Sequence, residues 1–176
     1  GADFITTNTF RTTPRAYLKT GLDERCALRV AKDSLLRAVD IAQDAAGNVA
    51  KVVGSIAPLE DCYTPKLFPG RNIAVAEFSQ LGEWFTGAGV DILLLETMNS
   101  IAETEAALIG TQNMGLIIWI SFVLKDNHNL LSGESLAQVI EKMKDYSVDC
   151  IMLNCNPLDS TVIATCDIIK NWPDKW

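Results

Sequence analysis

Asp91-Ile92-Leu93-Leu94-Leu95-Glu96-Thr97, followed shortly by Ser100-Ile101-Ala102-Glu103, is the stretch that decides the fold. Four large apolar residues in succession, without alternation, read as a strand covered on both faces, the habit of parallel sheets. Ser-x-x-Glu directly afterwards is a capping-box pattern and predicts a helix start. A buried strand running straight into a helix is one βα junction, and here the junction carries a carboxylate.

The same grammar recurs on both sides. Strand-sized apolar runs occupy Asp3–Thr7, Lys51–Ala57, Leu116–Leu124 and Asp149–Asn154. Between them lie stretches of helical period. Leu28, Ala31, Leu35, Val39 and Ala42 form a stripe within Asp23–Ala46, which Gly47 can stop. Leu136, Val139, Ile140 and Met143 form another, with Ser132 or Gly133 near its start. Val162, Ile163, Cys166 and Ile169 begin a last one, ended by Trp172-Pro173. Gly87-Ala88-Gly89 precedes a strand rather than following one, so it reads as a helix C-cap and not as a dinucleotide loop. Trp84, near Phe78, Leu81 and Phe85, reads as core.

This is an α/β chain of parallel strands, and periodicity alone fits a barrel or a doubly wound sheet equally. The lack of a dinucleotide signature favours a (β/α)8 TIM barrel. With 176 residues against about 250 for a complete barrel, the expectation is a single, incomplete barrel domain over residues 1–176. Its opening on Gly1-Ala2-Asp3, with neither Met nor a basic leader, fits a chain that begins within a domain.

Composition narrows the function classes. A formal charge of −7, from 15 Lys and Arg against 22 Asp and Glu, argues against nucleic-acid partners. No run approaches the roughly 20 apolar residues of a membrane span. Five scattered Cys without a CxxC pair read as reduced thiols of a cytoplasmic protein.

In βα folds the C-terminal ends of the strands hold the chemistry. Thr7-Asn8-Thr9, Pro58-Leu59-Glu60, Glu96-Thr97 and Asn154-Cys155-Asn156 fall there. Cys155 has the position of a nucleophile or a metal ligand, although most free Cys simply pack as small hydrophobes. Cys62 reads as a loop residue, and Cys26 and Cys166 as helix packing. Glu96 can accept a substrate ammonium or act as an acid/base, or be only a solvated strand end. Asn8 with its threonines can bind a polar substrate or merely form a loop. His128, the only His, sits in a polar turn that reads as solvated.

These segments, taken in order, resemble the homocysteine S-methyltransferases. Gly1 to Phe10 is similar to that family's second-strand segment, Gly54-Ser55-Ile56-Ala57-Pro58 to its third, and Gly89 to Met98 to its fourth. Trp119-Ile120-Ser121-Phe122 resembles the fifth, and Leu153-Asn154-Cys155 the sixth-strand Asn-Cys. The resemblance implies a zinc-dependent barrel enzyme that methylates homocysteine to methionine. It makes Cys155 one zinc ligand, Glu96 a ligand of the homocysteine amino group, and Asn8 and Thr9 residues lining the substrate pocket. The family's Asp-Gly-Gly motif and its Cys-Cys pair, which supplies the other zinc ligands, are not in this sequence.

Strands two to six are therefore expected, with the remaining zinc ligands outside this segment and these residues inactive alone. The expected partners are homocysteine and a small-molecule methyl donor: S-methylmethionine, betaine, methyl-folate or another. The alternatives are a barrel enzyme without zinc, such as a lyase or aldolase, and a non-catalytic amino-acid-binding domain.

Overall fold

The computed structural model describes residues 1–172. Five strands alternate with helices: β1 (Phe4–Thr6), α1 (Pro14–Leu18), α2 (Glu24–Ala46), β2 (Lys51–Ile56), α3 (Arg71–Ala88), β3 (Ile92–Met98), α4 (Ile101–Thr111), β4 (Ile117–Phe122), α5 (Leu136–Met143), β5 (Cys150–Leu153) and α6 (Leu158–Asn171). All neighbouring strands pair in parallel, in the order β1-β2-β3-β4-β5. A doubly wound sheet reverses its strand order at a switch point and carries helices on both faces. This order never reverses, and right-handed crossovers then place every helix on one side. The sheet is the curled half-barrel of an incomplete TIM barrel.

Alternation along the strands separates the two faces. Val52, Ile56, Leu93, Leu95, Ile118, Ile120, Phe122 and Ile151 join the helices in one buried core. The residues between them (Val53 and Ser55, Ile92, Leu94 and Glu96, Trp119 and Ser121) face the concave side. Curling is visible in a ring pair: Phe4 of β1 meets Trp119 of β4 edge to face, with centroids 4.9 Å apart, across two intervening strands.

Local sequence sets the junctions. Asp91 and Asp149 each precede a strand and accept the backbone N–H of the preceding strand's residue, Val52 at 2.8 Å and Ile118 at 2.9 Å. Asp23 caps α2 through the Cys26 N–H at 2.9 Å. Gly54 leaves room for α3, since a Cβ there would lie 2.6 Å from the Phe85 ring. Gly89 closes α3 with a left-handed φ of 74°, the C-cap read from sequence, and Trp84 is buried as expected.

Some boundaries differ. The α5 cap is Ser135, in a complete capping box with Gln138, because Ser132 is occupied by the Asn99 carbonyl. In α2 the buried line runs through Ala27, Ala31 and Leu35, leaving Leu28 outward and 40% exposed. Ser100 does cap α4, but Glu103 turns from the capping box to the Leu59 N–H, 2.8 Å away. Of the Trp172-Pro173 stop, Pro173 lies outside the described residues.

Candidate active site at the barrel mouth

The register between β3 and β4 slips between Leu95 and Met98, so Glu96 and Thr97 form a bulge at the end of β3. Bulges of this kind re-aim side chains next to active sites. Thr97 takes a left-handed φ of 58°. For a β-branched residue this is a genuine outlier, and such strain costs on the order of 1–3 kcal/mol. Glu96, before it, accepts a hydrogen bond from the Ser55 hydroxyl of β2 on the concave side.

Beyond β5 the chain repeats the device. Cys155 is the other non-glycine residue with positive φ among those described, at 57°, and its side chain is exposed. The flanking asparagines hold it there. Asn154 accepts the Ser121 hydroxyl at 2.7 Å and the Thr97 N–H at 3.2 Å. Its amide nitrogen donates to the Thr97 hydroxyl at 2.7 Å and lies 3.4 Å from the Cys155 sulfur. Asn156 accepts the Leu124 N–H at 2.7 Å and donates to the Phe122 carbonyl at 3.2 Å, closing the end of β4. Tyr63, from the loop after β2, has its phenol pKa raised, chiefly by the nearby Cys155 side chain.

A family model for homocysteine S-methyltransferase matches residues 1–172. The chain belongs to the homocysteine S-methyltransferase family. The homocysteine methyltransferase MmuM from Escherichia coli, in its metallated form, superposes with a TM-score of 0.85 at 26% identity, covering 97% of this chain and 64% of that one. Its oxidised form gives 0.83 at 25% identity, with 97% and 63% covered. The chain thus spans less than two thirds of MmuM's length.

Within this family fold the residues singled out in the sequence fall into two groups. Glu96 and Cys155 lie at the mouth, tied to one another through Thr97 and Asn154. Thr9 is buried, and its hydroxyl donates to the Ser55 carbonyl at 2.7 Å, continuing the β1–β2 ladder. Asn8 is exposed and lines a cleft of about 450 Å³ between β1 and α2, with Ile5, Ser34, Arg37 and Ile41, away from Glu96 and Cys155. Glu60 is bound by Lys19 and Arg15. Burial alone would raise its pKa, but these two cations hold it below the usual carboxylate range.

His128 sits in an Asp126-capped turn and pairs with Asp167 at 2.9 Å on the surface. Cys62 is buried, its thiol pushed up by that burial, and its carbonyl accepts from Asn99 at 3.0 Å. Among the described residues no three His, Cys, Asp or Glu side chains converge as a metal site. Sequence reading passed over Ser55 and Ser121, which look like interruptions of apolar strands. Their signal was a hydroxyl on the concave face, one turn of alternation before each strand's end.

Proposed function

We propose that this chain carries the homocysteine-binding half of a zinc-dependent homocysteine S-methyltransferase. The observation that carries the reading is Cys155: an exposed thiol held in a left-handed turn at the mouth of a half-barrel belonging to this family. The donor set fits one zinc ligand, a soft sulfur at the end of a strand, with the remaining ligands supplied from outside the described residues. MmuM, a relative by fold and sequence, has been solved in a metallated form.

Zinc, when bound, lowers the pKa of a coordinated thiol so that it is presented as a thiolate. Everything else is positioning. Glu96 takes the ammonium of homocysteine, and the Ser55 hydroxyl fixes which way that carboxylate points. Cys155 marks where the substrate sulfur must lie. Thr9 supports the pocket by keeping the ends of β1 and β2 together, whereas Asn8, expected from the sequence to line it, faces the separate cleft between β1 and α2. Held in line with a donor, the homocysteine thiolate would bond to the methyl carbon as the bond from that carbon to the donor breaks. The demethylated donor leaves with the electron pair, and the product is the thioether methionine.

All five cysteines are free, and no helix of the described residues is long and apolar enough to cross a membrane. Free thiols support a reducing, cytoplasmic setting. The test is zinc content and methylation of homocysteine by the full-length protein, with S-methylmethionine, betaine and methyl-folate offered in turn. Cys155→Ser is expected to lose both. Unchanged zinc and activity in that variant would make Cys155 a packing residue and end the zinc mechanism.

A further inference from the structure

We propose that Asn154 is a positioning residue that fixes the Cys155 sulfur relative to Glu96 through a single, fully committed carboxamide. The proposal rests on the roles given to Cys155 and Glu96 above. A primary amide offers two acceptor sites on oxygen and two N–H donors. Asn154 uses all four: Oδ1 takes the Ser121 hydroxyl and the Thr97 N–H, and Nδ2 meets the Thr97 hydroxyl and the Cys155 sulfur. Flipping the amide would set a donor against the Thr97 N–H, so the orientation is determined.

The partners make the arrangement more than a stitch between strands. Thr97 directly follows Glu96, and Cys155 directly follows Asn154. Both Thr97 and Cys155 are held at positive φ, which persists only where the surroundings over-determine it. The backbone that aims the carboxylate and the backbone that aims the thiol are thus held by the same side chain. The Nδ2 contact also places a donor against the sulfur, the outer contact that metal-binding side chains ordinarily have.

Asn154→Asp separates the two roles. Aspartate keeps shape and both Oδ1 contacts, and the Thr97 hydroxyl can turn to donate to its second oxygen. Only the contact with sulfur is reversed, from an N–H donor to a carboxylate. The experiment is iodoacetamide labelling of this chain, resolved by peptide mass spectrometry, with exposed Cys166 as internal reference. In Asn154→Asp the ratio of Cys155 to Cys166 labelling is expected to fall about ten-fold, because a carboxylate in place of the N–H donor disfavours the thiolate that attacks iodoacetamide. An unchanged ratio in a folded variant overturns the proposal.

If Asn154→Asp does not fold, Ser121→Ala serves. It loosens the carboxamide without touching the thiol, and is expected to lower the ratio about three-fold, because the N–H donor that favours the thiolate is then held against the sulfur less of the time. Again an unchanged ratio overturns the proposal. The labelling involves no homocysteine, metal or methyl donor. Failure here therefore leaves the methyltransferase reading standing, while failure of that reading appears only in the Cys155→Ser assay.

Discussion

Asn154 reaches past the end of β4 to Thr97, accepting its backbone N–H at 3.2 Å and donating to its hydroxyl at 2.7 Å. Two residues 57 apart in sequence are joined by a reciprocal pair of hydrogen bonds. The pair spans β3 and β5, which are not neighbours in the sheet, and Ser121 of β4 fills the gap between them. The bonds hold a strained backbone where it aims Glu96.

Thr97→Val tests that arrangement. Valine keeps the β-branched shape but offers no acceptor, leaving an Asn154 N–H unpaired in a partly buried place. The loss is expected at about 1–3 kcal/mol by urea unfolding. In a cycle with Asn154→Ala, the two changes should couple by at least about 0.5 kcal/mol, as residues in one network do. Strict additivity would show that the bond from the Asn154 amide to the Thr97 hydroxyl contributes nothing.

Gly54→Ala tests how closely α3 lies on the sheet. The added Cβ would stand 2.6 Å and 2.9 Å from two atoms of the Phe85 ring, which is itself only 1% exposed. Overpacking of this kind is expected to cost about 1–3 kcal/mol. Phe85→Leu, made in the Gly54→Ala background, should recover part of that loss by vacating the space. A Gly54→Ala protein as stable as wild type would mean that α3 can shift outward freely.

The fold was largely legible because buried parallel strands leave continuous apolar runs, and all five runs became strands. The helix α3 was harder. Its buried residues, Ala74, Phe78, Leu81, Gly82, Trp84 and Phe85, include adjacent positions, so its inward stripe is broad and only its glycine C-cap announced it. The five-residue α1 is held by the Thr13 cap and Pro14 and is too short to show a period. At the site, Glu96 and Cys155 stood out by following apolar strands, whereas their supports did not. Ser55, Thr97, Ser121 and Asn154 matter through contacts between residues 33 to 57 apart, which one sequence read alone does not pair.

Glu96→Gln tests the proposed substrate contact in the full-length protein. Glutamine keeps the oxygen that accepts from Ser55 and nearly the same volume, so the bulge should remain. What disappears is the negative charge opposite the homocysteine ammonium. Hydrogen bonds to charged groups contribute about 1.5–3 kcal/mol, so homocysteine affinity measured by calorimetry should fall about ten-fold or more. Zinc content should be unchanged, since Glu96 is not among the proposed ligands. Equal affinity would remove Glu96 from the site.

Glu103→Gln carries a prediction in pH. Glu103 is 2% exposed at the start of α4, and its carboxylate accepts only the Leu59 N–H among the described contacts. Burial, with a smaller push from Glu60, raises its pKa above the usual 4.5 despite that hydrogen bond. Between its unfolded and folded pKa values the native state binds more protons than the unfolded chain, so stability falls as pH rises through that window. Below 4.5 both states are protonated and Glu103 no longer matters; there the opposite trend sets in, as Glu60, whose pKa is lowered, loses its ion pairs with Arg15 and Lys19. Glutamine retains the acceptor for Leu59 and has no proton to release. The stability of Glu103→Gln relative to wild type should therefore grow as pH rises from 4.5 towards neutrality and then level off, while the acid limb below 4.5 stays in place. Urea unfolding at a series of pH values measures this directly, and parallel curves for the two proteins would show that Glu103 does not change its protonation on folding.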